Sequence, residues 1–333
     1  MMENMGIRLS IVVPVFRVEG FLRKCIESFV SQMNKGVELI LVDDGSDDKC
    51  PIICDEYAFL KENIKVIHKK NGGLVSAVKA GIMESRGEYI GFCDGDDYVD
   101  DSYIKSILDI INKYNADIIL FDFYRVIYGT DIKNVEGSVL IPRGLSSGEG
   151  CIDVRGRYME RGGISPCRWN KVIKKELVDR IMELYDERVR IGEDIVFTAP
   201  LIYSMRSVYY IDKPLIYYNI NPNSMTQSFN KNYLKDYNLI YEILSRFFKS
   251  DKAFLSHIYY INMRTLVNSV SKSDMKRKAP YLKAVFSDDE IKERLKHLDT
   301  SSLSFGDRVF YAFMKSNKPS VLLLMASVYR KVK

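Results

Sequence analysis

The chain has 333 residues, 47% apolar and 28% charged, which supplies a large core and, at about 150 residues per domain, suggests two domains. That composition excludes a disordered chain, a disulfide mini-protein and a collagen-like repeat. Forty-nine basic against 44 acidic residues leave a net +5, too weak a surplus to argue for nucleic acid.

The surplus is local. From Ser304 to Lys333 stand six basic residues (Arg308, Lys315, Lys318, Arg330, Lys331, Lys333) and one acid, Asp307, so the remaining chain sums to zero. A basic segment with apolar neighbours points to an anionic membrane face, the alternative being an ordinary solvated helix. The six cysteines (Cys25, Cys50, Cys54, Cys93, Cys151, Cys167) are scattered without a close pair at zinc-ligand spacing, which fits a reducing compartment. Met1–Ser10 lacks the apolar run of a signal peptide, and no stretch reaches the roughly 20 apolar residues that span a bilayer. The expectation is a cytoplasmic protein.

In chain order, Leu9–Phe16 is a nearly continuous apolar run, as in a buried parallel strand, with Pro14 toward its end. Residues 18–33 have helical spacing. Val37–Val42 is a strand closed by Asp43-Asp44-Gly45-Ser46, and Ile64–His68 is a third. Asn71-Gly72-Gly73 turns into a helix running to about Ser85. Glu88–Cys93 is a strand cut by Asp94-Gly95-Asp96-Asp97, followed by a helix to Tyr114 and a strand at Asp117–Phe123. Repeated β-α units predict a mostly parallel sheet flanked by helices, with ligands beyond the carboxyl ends of the strands. Residues 126–165 lack periodicity and read as a variable excursion. A helix follows Lys171, another begins at Gly192-Glu193-Asp194, and Val208–Ile211 and Pro214–Asn219 are short strands. Beyond 230 the chain is mostly helical.

Three carboxylates in four residues at 94–97 are costly without a cation, and oxygen donors of this kind suit Mg²⁺ or Mn²⁺; capping of the next helix is the alternative. An Asp at 43 or 44 can accept from a ribose or a base, or simply shape its turn. Asn71-Gly72-Gly73 can bring backbone N–H groups to a phosphate, yet no P-loop and no G-x-G-x-x-G is present. Glu193-Asp194 offers a general base, or acids favoured at a helix start. Trp169, the single tryptophan, is a sugar-stacking or a core aromatic.

The order and spacing of these pieces resemble glycosyltransferase family 2: Ser10–Phe16, Leu39–Ser46, Asn71–Ala77 and Gly87–Asp97, closely over residues 8–125. Patches continue at Trp169-Asn170-Lys171, Gly192-Glu193-Asp194, Pro214–Tyr218 and Asn223-Ser224-Met225-Thr226. The resemblance is to the bacterial surface-polysaccharide branch. It implies a GT-A fold in residues 1–225 (a nucleotide-sugar half, 1–125, and an acceptor half, 126–225) with a helical region at 226–333. It implies a donor, most often a UDP-sugar, bound by Pro14, Val15, Phe16, Asp43, Asp44, Asn71, Gly72, Gly73, Asp94, Gly95 and Asp96. By the same resemblance Asp94 and Asp96 hold Mn²⁺ or Mg²⁺, Asp194 is the base with Glu193 beside it, and Trp169 and Asn170 meet a glycan or lipid-linked sugar acceptor at the inner face of the plasma membrane. The implied reaction inverts the anomeric centre. A non-catalytic nucleotide-sugar-binding subunit, or a nucleotidyltransferase, is the competing reading. Two departures stand out: Phe16-Arg17 where the family commonly has Tyr-Asn, and Val78 where it often has Arg.

Overall fold

The computed structural model describes residues 6–127, 130, 132–220 and 230–331. Its contacts divide the chain into two compact units, Met1–Asn221 and Pro222–Lys333. The motif at 223–226 lies outside the described residues.

The first unit is built on β1 (Leu9–Val15), β2 (Val37–Asp43), β3 (Ile64–His68) and β4 (Tyr89–Phe92). β1 pairs in parallel with both β2 and β4, and β2 with β3. Every residue of β1 and β2 is buried, which is why these strands are unbroken apolar runs. Between them lie α1 (Glu19–Val30), α2 (Cys50–Leu60) and α3 (Leu74–Glu84). α2 has no amphipathic stripe to announce it: Ile52, Phe59 and Leu60 are exposed although apolar, and Pro51 starts the helix.

Beyond β4 the sheet is mixed. After β5 (Tyr98–Val99) and α4 (Tyr103–Tyr114), β6 (Ile118–Ile127) runs parallel to β4, separated from it by β9 (Lys171–Lys174), which is antiparallel to both. The excursion at 126–165 contains β7 (Lys133–Glu136), β8 (Gly144–Ser147) and α5 (Glu149–Gly156). α6 (Lys175–Ile181) and α7 (Glu193–Ser204) lead to β10 (Ser207–Ile220), one strand where two short ones are expected. Its register against β6 slips between Ile211 and Pro214, at a proline that cannot donate to the ladder. The path β3-β2-β1-β4-β9-β6-β10-β5 reverses its direction of growth at β1, so a crevice opens beyond the carboxyl ends of β1 and β4.

The second unit is helical: α8 (Tyr233–Phe247), α9 (Lys252–Lys272), α10 (Lys278–Ser287), α11 (Asp289–Leu295), α12 (Phe305–Lys315) and α13 (Pro319–Lys331). Its core is centred on α9, where Leu255, Tyr259, Tyr260, Met263 and Val267 are buried. Phe310, Met314, Leu322 and Ala326 of the last two helices are also buried, whereas Phe305, Leu324 and Val328 are exposed. Among the described residues no helix is long and apolar enough to cross a membrane.

Candidate active site

The crevice is framed by loops leaving β1, β2, β3 and β4. After β2, Asp43 and Asp44 are buried and their carboxylates are spent on neighbouring loops. Asp43 accepts from the Ser46 N–H at 2.9 Å and lies 3.0 Å from His68 Nδ1. Asp44 accepts from the N–H groups of Gly72 (2.9 Å) and Gly73 (2.7 Å) and from Lys69 Nζ (2.6 Å). The two glycine amides expected to face a phosphate therefore face Asp44, which fixes the shape of the 69–73 loop; Asn71 remains exposed. Gly73 has φ +88°, and a Cβ there would stand 2.1 Å from Arg190 Nη1.

Pro14 and Val15 end β1, and Phe16 is 42% exposed at the rim. Arg17 adopts φ +54° and points at Asp47, with Nε to Oδ1 at 2.6 Å. Val78 is fully buried against the sheet, and Lys79 pairs with Glu187 at 3.7 Å. Arg190 also reaches this loop, donating to the Gly72 carbonyl at 3.3 Å.

The acidic turn after β4 is compact. The Asp97 N–H donates to the Asp94 carbonyl at 2.9 Å, and Gly95 packs so closely on β1 that a Cβ would lie 3.2 Å from the Pro14 carbonyl. Asn219 of β10 holds the turn from the other side: its N–H donates to Asp97 Oδ1 at 2.8 Å and its amide to the Asp96 carbonyl. Asp97 is buried with Oδ2 unpartnered among the described residues. Burial and the adjacent acids Asp94 and Asp96 push its carboxyl well above the usual range. Burial, then Asp94, raises Asp96 to about 6.

Glu193 and Asp194 come to the same place from the start of α7, where Gly192 takes φ +79° ahead of the first turn. Burial and the neighbouring Asp194 raise Glu193 to about 7. Burial also raises Asp194, opposed by a nearby guanidinium. That guanidinium belongs to Arg168, which is 1% exposed. Its Nη1 lies 2.5 Å from Asp194 Oδ1 and 3.6 Å from Glu193 Oε1, while Nη2 donates to Asp94 Oδ1 at 2.8 Å. The sequence marks Arg168 only by its charge between Cys167 and Trp169, just before a core strand.

Trp169 and Asn170 require a correction. Trp169 is 5% exposed, stacked on Tyr218 (5.2 Å, 8°) with Phe123 against it edge-on (4.8 Å). Asn170 is buried and accepts from Lys171 Nζ at 2.6 Å. Both are packing residues, with no free face for an acceptor.

Among the described residues no three His, Cys, Asp or Glu side chains gather into a metal cage. Magnesium-type ions bound with substrate phosphates need only one or two protein carboxylates. Asp96, half-buried, and the second oxygen of Asp94 are donors of that kind, and the crowded charge of the turn favours a cation.

The model described as Glycosyl transferase family 2 matches residues 10–156. The chain carries a family 2 glycosyl transferase domain. EpsJ of Bacillus subtilis, an uncharacterized glycosyltransferase, is 34% identical over 220 residues, 66% of this chain and 63% of EpsJ. The chain thus spans somewhat under two thirds of that relative. The minor teichoic acid biosynthesis protein GgaB of the same organism is 31% identical over 63% of this chain and 22% of GgaB. The family 2 domain is of GT-A type: the crystal structure of S. aureus TarS 1-349 in complex with UDP superimposes with TM-score 0.69 and 17% identity, covering 98% of this chain and 92% of that one.

Proposed function

We propose that the protein is an inverting, metal-dependent glycosyltransferase moving a sugar from a nucleoside-diphosphate donor, probed first as a UDP-sugar, to a hydroxyl of a glycan or lipid-linked acceptor in bacterial surface-polysaccharide synthesis. One observation carries the reading: acids a hundred residues apart in the chain, Asp94 and Asp194, meet at one buried cation beyond the carboxyl ends of β1 and β4. The teichoic acid biosynthesis for which GgaB is named and the UDP bound to TarS support the acceptor class and the donor base.

In this reading Pro14, Val15 and Phe16 line the nucleoside side of the crevice, Asp44 acts by holding the loop that carries Asn71, Gly72 and Gly73, and Asp43 by fixing the adjoining turn through Ser46 and His68. Asp96, with Asp94, would hold Mn²⁺ or Mg²⁺, which supplies charge neutralisation at the departing diphosphate. Asp194 takes the proton of the acceptor hydroxyl as that oxygen attacks the anomeric carbon from the face opposite the leaving group, so the anomeric centre inverts. Glu193, raised to about 7 by burial and by the neighbouring Asp194, stays beside it. Burial of the site strengthens each of these charge interactions.

A thermal-shift panel of nucleoside diphosphates with and without Mn²⁺ tests the proposal, since a ligand that binds only the folded state stabilises it. UDP should raise Tm only with the metal, and turnover of a UDP-sugar should release UDP. Release of pyrophosphate, or no response to any nucleoside diphosphate, would overturn it. The membrane contact proposed for the C-terminal segment rests on exposed Phe305, Leu324 and Val328 and the neighbouring Lys315 and Lys318. Failure to co-sediment with phosphatidylglycerol vesicles would remove that part.

A further inference from the structure

Arg168 is a fully buried charge that serves three carboxylates from two parts of the site. Its backbone is held on every side. Lys171 Nζ donates to the carbonyls of Ser165 (2.7 Å) and Cys167 (2.5 Å), so the turn before β9 is closed around an internal ammonium. The Thr198 hydroxyl contacts both the Pro166 carbonyl (3.0 Å) and the Asp194 carbonyl (2.7 Å), and lies 2.7 Å from Tyr158 OH. The turn carrying Arg168 and the helix start carrying Asp194 are thereby tied to each other. A guanidinium is a rigid planar fork, so the separation of its two terminal nitrogens dictates the separation of the carboxylates they hold.

We propose that Arg168 is a positioning residue that couples the acceptor-side base, Asp194, to the donor-side carboxylate, Asp94. One fork sets how far the proton acceptor stands from the group facing the leaving diphosphate. Arg168 leaves Asp96 unengaged, so the coupling does not compete for that carboxylate. Lysine cannot replace it, because a single ammonium is a point charge without the two-pronged geometry. The inference rests on the glycosyltransferase reading for what the spacing is for, and not for the coupling itself.

The test is a pair of double-mutant cycles on the full chain, using Arg168→Met, Asp194→Asn and Asp94→Asn, with Arg168→Lys as the variant that keeps a cation and so favours folding. In thermal unfolding without metal or ligand, Arg168→Met should lower Tm by several degrees because it strands three partly buried acids. Combining it with Asp194→Asn or Asp94→Asn should cost less than the two single losses together. With a donor and acceptor, Arg168→Lys should hold the donor KM within about threefold while kcat falls about 100-fold, and Arg168→Met/Asp194→Asn should be no slower than Asp194→Asn alone. Additive losses in both unfolding cycles, or an equal loss of donor affinity and kcat in Arg168→Lys, would overturn the proposal. If the wild type turns over no donor, the functional reading fails, and the unfolding cycles still decide whether Arg168 couples the two acids.

Discussion

Replacing Asp96 by Asn tests the electrostatics of the acidic turn without changing its shape. In the metal-free protein burial and Asp94 move this carboxyl from the ordinary 3.8 to about 6. Below pH 4 the group is protonated folded and unfolded, and costs nothing. Between 3.8 and 6 the unfolded chain gives up its proton while the folded one keeps it, so stability falls as pH rises. Above 6 the whole penalty is present, about 3 kcal/mol by linkage, an upper figure because the side chain is partly solvated. Asn carries no such penalty. Urea unfolding with EDTA should therefore find Asp96→Asn more stable than wild type at pH 7.5, by about 1–3 kcal/mol, with the gap closing by pH 4. Millimolar Mn²⁺ should stabilise wild type and leave the variant unmoved. A variant less stable than wild type at pH 7.5, or a gap that is the same at pH 4, would refute the claim that burial and the neighbouring Asp94 make the Asp96 charge costly until a cation relieves it.

Lys171 gives a second, opposite titration. Burial lowers its ammonium to about 8, below the ordinary 10.5, so its penalty is complete below pH 8 and gone above 10.5. The stability difference between wild type and Lys171→Met should shift toward wild type by up to about 3 kcal/mol across that window; a flat difference would contradict the assignment. Glu38 is a scaffold control: 1% exposed, it accepts from Ser10 Oγ (2.6 Å), the Arg86 N–H (2.7 Å) and Arg86 Nε (2.9 Å). Glu38→Gln should cost about 2 kcal/mol in unfolding while leaving UDP affinity within a factor of two; an unchanged Tm would show the network to be idle.

The half of the fold around β1–β4 was legible because strands buried on both faces are continuous apolar runs, each ended by a polar turn at the carboxyl edge. Asp43-Asp44, Asn71-Gly72-Gly73 and Asp94–Asp97 mark that edge in the sequence itself. The remainder hides for physical reasons. β9 begins and ends with lysine, and Lys171 sits in the core only because three oxygens surround its ammonium. α2 is apolar on its exposed side, so it shows no stripe. Trp169 looks like a sugar platform until Tyr218, forty-nine residues on, is found covering its face. Arg168 carries only a faint local mark, a charge between Cys167 and Trp169, because its partners lie 74 and 26 residues away.

Asp194→Asn offers the most direct test of the account, because it removes the proposed base while keeping size and backbone. Calorimetric titration with UDP and Mn²⁺ should give an affinity within about threefold of wild type, and transfer should fall by about 10²–10⁴ in kcat. Undiminished transfer by that variant would contradict the central claim that the carboxylate at the head of α7 takes the acceptor's proton.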